Sequence, residues 1–459
     1  MADKRLVGRR QFLRDSMGAG VALTLAAVTP AAAYRRILGA NDRVRLGFIG
    51  VGNRGSQLLE AFLRFPDAEV VALCDVYQPY LERDRSKVDA RILASLGSLV
   101  PKMGESLPAS VRRYRDFRQL LDQKDIDAVV IATPDHWHAV QTIWACEAGK
   151  DVYVEKPLTL TVVEGRRMVE VAKRTGRVVQ VGLQRRSSVV YQEVVEIVRS
   201  GKIGKISVAR AYRINNMWPA GIGREKPSDP PEGMDWDLWL GPRPYRPYQY
   251  NIAPYKFRWW KDYSSQLANW GVHYCDAIRW ILGEEAPRAV VAVGGKFLVD
   301  DDRTIPDTLE VTYEMPSGTL VVFGQYEACG GRPFPFGEIE LRGTLGTLYC
   351  DQSGYRIVPS PDGQFQKAEP RTEPVEKVGI EQDTTVDHVR NFLDCVKSRA
   401  TPRCDLETGH RSNVFALLGN ISLEVGQRIE WDAEREQVVR PKSANRFLHY
   451  RYRSPWKLS

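Results

Sequence analysis

Eleven residues, Arg45-Leu46-Gly47-Phe48-Ile49-Gly50-Val51-Gly52-Asn53-Arg54-Gly55, carry the first chemical signal: three glycines at the G-x-G-x-x-G spacing directly after an apolar run. The first glycine permits a tight turn, the second lets an anionic group approach the backbone, and the third lets a helix pack closely on its strand. Free N–H groups at the start of that helix favour negative charge, so the turn suits a pyrophosphate. Asp75 stands 20 residues past Gly55, at the end of a second apolar run, Val70 to Cys74. A carboxylate there binds ribose hydroxyls and repels a 2′-phosphate. A glycine-rich turn alone needs no ligand, and the acid at this distance is what turns it into a nucleotide signal. Gly50, Gly52, Asn53, Arg54, Gly55 and Asp75 together predict a bound dinucleotide, NAD in preference to NADP.

Two further peptides follow apolar runs: Ile131-Ala132-Thr133-Pro134-Asp135-His136-Trp137-His138 and Val152-Tyr153-Val154-Glu155-Lys156-Pro157. In an open α/β sheet the ligand lies outside the carboxyl ends of the strands, so both peptides are expected at the nicotinamide half of the cofactor. This brings Thr133, Pro134, His138, Glu155 and Lys156 to the site. An ammonium beside a positively charged ring and partly out of water gives up its proton more easily, which suits Lys156 to proton transfer. The plainer account is a lysine paired with Glu155 at a strand end. Neither His136 nor His138 forms a metal pair with another His or Cys, and the seven cysteines are scattered without a C-x-x-C spacing. They read as buried free thiols, and no metal site is predicted.

The elements that must position these residues divide the 459-residue chain. Residues 44–185 alternate between strand runs (44–49, 70–74, 127–132, 151–154, 178–182) and helical stretches, as in a doubly wound parallel sheet. Residues 80–112 break the pattern and read as an inserted helix and loop. Beyond 185 come a helix at 189–200, a strand at 206–214, a helix at 271–282, six strands between 288 and 358, helices at 383–399 and 409–427, and a polar tail. Such runs of strands predict a second domain, 186–459, of α+β type with an open, mostly antiparallel sheet. With 43% apolar and 27% charged residues and a net charge of +8, the chain reads as globular. It shows no basic stripe or nucleic-acid motif, so no nucleic-acid partner is expected.

Residues 1–33 read as an address. Arg9-Arg10-Gln11-Phe12-Leu13 resembles the twin-arginine export motif, a weakly apolar run follows from Met17 to Val28, and Ala31-Ala32-Ala33 offers a cleavage site. The run is too short to span a bilayer stably. A periplasmic or exported protein is expected, with residues 34–43 as a short arm. Free thiols fit that route, because twin-arginine export moves proteins already folded in the cytosol.

Residues 236–263 hold ten aromatics in 28 positions, over three times the chain's 10% average. Flat aromatic faces suit the C–H faces of sugar rings, and neighbouring Arg or Lys can bind hydroxyls or a carboxylate. Tyr255, Trp259, Trp260 and Lys261 are the expected pocket residues. Trp and Tyr also fill subunit interfaces, so the same stretch fits an association surface.

The set formed by Gly50-Val51-Gly52-Asn53-Arg54-Gly55, Cys74-Asp75, the peptide 132–138, Glu155-Lys156-Pro157 and Gly271-Val272-His273-Tyr274-Cys275-Asp276 resembles the Gfo/Idh/MocA family of glucose-fructose oxidoreductase and inositol dehydrogenase, from about residue 44 to 283. The resemblance implies hydride transfer between NAD and a secondary alcohol of a sugar, cyclitol or glycoside, with Lys156 and His273 flanking the alcohol. Family members often carry an aspartate four residues before this histidine. Here Asn269 stands there; an amide cannot relay a proton but can bind a substrate hydroxyl. Asp276, one helical turn past His273, is expected to bind substrate or brace the histidine. The family also implies a homo-oligomer, dimer or tetramer. Soluble NAD is scarce outside the cytoplasm, so an exported member is expected to hold its cofactor across turnovers. A redox-neutral glycosidase working by transient oxidation and elimination is the alternative, and a non-catalytic sugar-binding protein a third reading.

Overall fold

The computed structural model describes residues 43–365 and 371–458. The predicted signal peptide, and all but the last residue of the predicted arm, lie outside the described residues.

Six strands form the first sheet: β1 (Val44–Ile49), β2 (Ala68–Cys74), β3 (Arg112–Tyr114), β4 (Ala128–Ile131), β5 (Asp151–Val154) and β6 (Val179–Val181). Their order is β3-β2-β1-β4-β5-β6, all parallel. Strands covered on both faces read as continuous apolar runs, and Leu46, Phe48, Val129 and Val130 are fully buried. The chain winds outward from β1 through β2 and β3, then returns to β4 on the other side of β1. That reversal is the topological switch point, and a crevice opens at the carboxyl ends of the strands there. Ile49 pairs with both Cys74 and Ile131, so Gly50, Asp75 and Ala132 emerge side by side. Helix α1 (Asn53–Leu63) follows β1 and buries Leu58, Leu59 and Phe62. Helices α2 (Asp135–Glu147) and α3 (Val162–Thr175) follow β4 and β5. The segment expected to be a helix and a loop holds two short helices, Gln78–Glu82 and Ala90–Leu96, before β3.

After α4 (Val189–Arg199) comes β7 (Ile206–Ile214), the centre of a ten-stranded sheet. β8 (Ala289–Gly295), β9 (Thr308–Glu314), β10 (Leu320–Tyr326), β11 (Ile339–Gly343), β12 (Gly346–Asp351), β13 (Gly354–Pro359) and β14 (Val375–Lys377) belong to it. Only the β7–β10 pair is parallel among its described pairings. One face packs on α4, α5 (Val272–Leu282) and α7 (Leu406–Val425), with Tyr191, Ile278 and Phe415 meeting Val311, Phe323 and Leu341 in one core. The architecture is therefore a Rossmann-like parallel sheet followed by a mostly antiparallel sheet with helices on one face.

The last 80 residues depart from expectation. Helix α6 (Thr384–Ser398) lies against α1 of the first sheet, and Phe392 sits 6.2 Å from Phe62 and 5.7 Å from Tyr153 by ring centroids. The stretch expected to be a polar tail adds β15 (Ile429–Asp432) and β16 (Gln437–Arg440) to the second sheet. It then returns Trp456 to Trp137 and Phe117 in the first half, at 4.7 and 6.1 Å. Six cysteines are buried free thiols; Cys329 is exposed.

Candidate functional site

The glycine turn has three glycines for three different reasons. Gly50 has φ +86°, and a Cβ there would lie 2.8 Å from the Ala132 carbonyl group; one on Gly55 would lie 2.0 Å from the Gly50 oxygen. Protein atoms alone fix these two. At Gly52 a side chain would meet only Tyr80 at an ordinary 3.6 Å, so nothing in the protein forbids a larger residue. Gly52 is also the N-cap of α1, with no side chain capping the helix. A bare helix start with an open approach fits an incoming phosphate. Asp75 accepts the N–H groups of Val51 at 2.8 Å and Tyr77 at 3.0 Å, which aims its carboxylate along the cleft edge; burial raises its pKa. Gly50, Gly52, Asn53, Arg54, Asp75, Thr133 and Pro134 line this cleft, and Leu238, Tyr255 and Phe257 from the aromatic segment close it from the other side. Gly52→Val is expected to fold with parental Tm and to lose dinucleotide, measured by absorbance of the denatured supernatant. A fully loaded valine variant would sink this assignment.

A second cavity of about 540 Å³ continues from the first and shares Asn53, Arg54, Thr133, Tyr255 and Arg258 with it. Lys156, Asn269 and His273 line it together. Lys156 Nζ donates to both the backbone oxygen and the Oδ1 of Asn269, each at 2.9 Å. Leu267–Gly271 is a π-helical turn leading into α5. Such turns re-aim side chains at functional sites, and here both Asn269 oxygens face the lysine. Burial lowers the Lys156 pKa to about 8, with the Arg258 charge adding to the effect and Glu155 opposing it. His273 is buried, and its Nδ1 has no hydrogen-bond partner among the described residues. Burial first, then the Lys156, Arg185 and Arg54 charges, push its pKa well below the ordinary value, so a neutral imidazole faces the cavity. The site therefore offers an amine that can lose its proton near neutral pH beside an imidazole with an unmet hydrogen-bonding atom.

Glu155 accepts Arg54 Nε at 2.7 Å and so ties the β5 end to the glycine turn. Trp259 presents its ring to the cavity, with Nε1 donating to Glu327 at 3.0 Å.

Four expectations are corrected by position. Asp276 is fully buried against Arg186, with Oδ1 2.9 Å from Nε and 2.7 Å from Nη2, and accepts the Ser412 hydroxyl; it braces two helices away from the cavity. Trp260 follows Trp259 in extended backbone, so its ring turns the opposite way into the core, where Nε1 donates to the Asn251 carbonyl. Lys261 is exposed, near Glu424 and outside the cavity. His138 sits beneath the site, its two ring nitrogens 2.7 Å from the Pro157 oxygen and 2.9 Å from the Thr133 oxygen; it clamps the two loops together. The cavity also has Arg185, Arg213, Arg258 and Glu327 in its walls, which the sequence did not single out. Arg258 lay inside the aromatic stretch and was within reach of that signal; Arg213, one basic residue in an alternating strand, had none.

Residues 44–183 match the Gfo/Idh/MocA oxidoreductase family's NAD-binding Rossmann fold, and residues 187–333 and 361–458 match its C-terminal alpha/beta domain. The chain belongs to the Gfo/Idh/MocA family. It thus has an oxidoreductase fold built to bind a nicotinamide dinucleotide. A glycosyl hydrolase family 109 protein of Shewanella baltica is 34% identical over 180 residues, 38% of this chain and 36% of that protein. A second such protein, from Shewanella sp. strain ANA-3, is 32% identical over 227 residues, 46% of each. The matched region spans less than half the length of these relatives. The Gfo/Idh/MocA fold is shared with an NAD binding oxidoreductase from Klebsiella pneumoniae (TM-score 0.61, 20% identity, 84% of this chain and 99% of that one). It is shared also with levoglucosan dehydrogenase in complex with NADH (TM-score 0.59, 17% identity, 84% and 99%).

Proposed function

We propose that the protein is an NAD-dependent oxidoreductase acting on a secondary alcohol of a sugar, cyclitol or glycoside, with the cofactor retained across turnovers. The observation that carries this reading is the meeting of Lys156, Asn269 and His273 in one cavity that opens into the dinucleotide cleft. A bound nicotinamide supplies the hydride acceptor. Lys156, as the neutral amine, takes the hydroxyl proton; Asn269 holds the amine; His273, neutral, orients the hydroxyl through its free Nδ1. Asp75 supports NAD over NADP. Arg54 and Arg85, two basic residues near the turn and the acid, are engaged by Glu155 and by the carbonyls of Val100 and Pro101.

Retention is supported by the cover that Leu238, Tyr255 and Phe257 form over the cleft, and by the twin-arginine motif at Arg9-Arg10, which would carry a folded, loaded protein out of the cytoplasm. Buffer exchange followed by denaturation is expected to release near-stoichiometric dinucleotide; an empty protein would count against retention. A homo-oligomer remains part of the proposal on family grounds.

The glycosyl hydrolase relatives favour a second reading. The same residues can pass a ring hydroxyl's hydride transiently to the cofactor, take the acidified neighbouring C–H proton as the glycosidic group leaves, and return proton and hydride once water has added to the resulting double bond. Incubation with aryl glycosides separates the two. Growth of 340 nm absorbance on an unmodified alcohol is the expected result for net oxidation; release of phenol without added oxidant and without net absorbance change would move the assignment to the glycosidase.

A further inference from the structure

The cationic side chains of the second cavity fall into two groups. Arg54 and Arg185 spend their charge on Glu155 and Glu338 at 2.7 Å. Arg213 and Arg258 form no ion pair among the described residues. Each is instead held flat on an aromatic ring: the Arg213 guanidinium lies 3.8 Å from the Trp270 centroid, and that of Arg258 4.2 Å from the Tyr255 centroid. Arg258 donates one hydrogen bond, to the Tyr255 carbonyl. The Arg213 charge acts weakly on Glu327, whose oxygens already accept from Arg303 and Trp259. Two half-buried, stacked guanidiniums with donors to spare are costly to leave without an anion and well shaped to receive one, because a planar fork matches a carboxylate bidentately.

The Trp270 ring links this pair to the chemistry. Its centroid is 3.8 Å from Arg213 and 5.9 Å from Lys156 Nζ, so one indole separates the free guanidinium from the reacting amine. That interval is of the size that a six-membered sugar ring with an exocyclic carboxylate spans.

Resting on the oxidoreductase reading above, we infer that the substrate is a sugar acid, its carboxylate held by Arg213 and shared with Arg258 while a ring hydroxyl meets Lys156 and His273. Arg213 lines the second cavity and not the dinucleotide cleft, whereas Arg258 borders both; Arg213 is therefore the discriminating residue.

The test is binding to the full, dinucleotide-loaded protein, followed by quenching of tryptophan fluorescence. Glucuronate, galacturonate and gluconate are each titrated against glucose, galactose and glucitol, and glucose 6-sulfate is included. At least one acid is expected to bind about tenfold tighter than its uncharged counterpart, with the difference shrinking as salt is raised. Arg213→Gln is expected to erase that difference, and Arg213→Lys to keep part of it, with dinucleotide content as in the parent. The salt series on the parent protein keeps the inference testable should the glutamine variant not fold. No acid binding better than its neutral partner, a preference surviving Arg213→Gln, or tighter binding of the sulfate ester than of any carboxylate would each overturn it. A loaded protein without acid preference defeats the sugar-acid assignment alone; that preference without turnover of any acid or alcohol when NAD is supplied defeats the redox reading alone.

Discussion

Lys156→Met is expected to lower turnover by about 10²–10⁴-fold, the usual worth of a positioned acid–base group, while the purified protein still releases its dinucleotide on denaturation. The separation follows from where the lysine stands. Its Nζ is held by Asn269 in the second cavity, while Gly50, Gly52 and Asp75 line the first. Methionine keeps most of the side chain's apolar length beside Trp270 and removes the proton site together with its two hydrogen bonds to Asn269. The parent carries a pH signature that the variant lacks. Burial holds the amine near 8 instead of 10.5, and oxidation needs the neutral form. Its rate should therefore rise about tenfold per pH unit below that value and level off above it. A bound, positively charged nicotinamide moves the inflection lower still, since a like charge disfavours the ammonium. A Met variant with parental turnover would show that Lys156 is not the group that takes the hydroxyl proton.

The second large effect belongs to a residue outside the cavity. Arg303 is fully buried between Asp301 and Glu327, with Nε 3.0 and 2.9 Å from the two Asp301 oxygens. Its Nη1 donates to Glu327, the carboxylate that also fixes the Trp259 indole. Arg303→Met fills the space but leaves buried Glu327 without its ion-pair partner and buried Asp301 with only Lys296, 3.7 Å away, a loss of about 3–5 kcal/mol and a Tm lower on the order of 10 °C. The sign of the pH dependence identifies the cause. Burial already raises the Glu327 pKa against the pull of Arg303, so without the arginine the carboxyl binds its proton more tightly still in the folded state. The deficit is then largest at pH 8 and narrows as pH falls through the raised pKa. Calorimetry of parent and variant at pH 5 and pH 8 measures this; a gap independent of pH would mean that packing, and not charge, is what Arg303 supplies.

What could be read from the chain before the structure follows a physical division. The glycine turn, the acid at 75 and the strand ends at 131 and 154 were legible because backbone geometry dictates them: period, turn and spacing are local. β3, β14, β15 and β16 were not, since three or four residues contain too little alternation to distinguish a strand from a loop. Side-chain direction failed for the same reason in reverse. Asp276 lies three residues past His273, which a helix turns by less than a full circle, and Arg186, from a distant segment, draws it to the other side. Trp259 and Trp260 are equal in sequence but leave a short 3₁₀ turn in opposite directions. Which aromatic faces a ligand is decided by tertiary partners such as Asn251 and Glu327 that no local pattern announces.

The return of α6 and Trp456 to the first sheet has a consequence for biosynthesis. A nascent polypeptide released only as far as residue 383 presents Phe62 and Tyr153 without Phe392, and Trp137 without Trp456. The nucleotide half cannot finish its own apolar interior until residues 384–456 have been made. A cofactor cleft backed by its full apolar interior therefore requires the segments that carry Phe392 and Trp456.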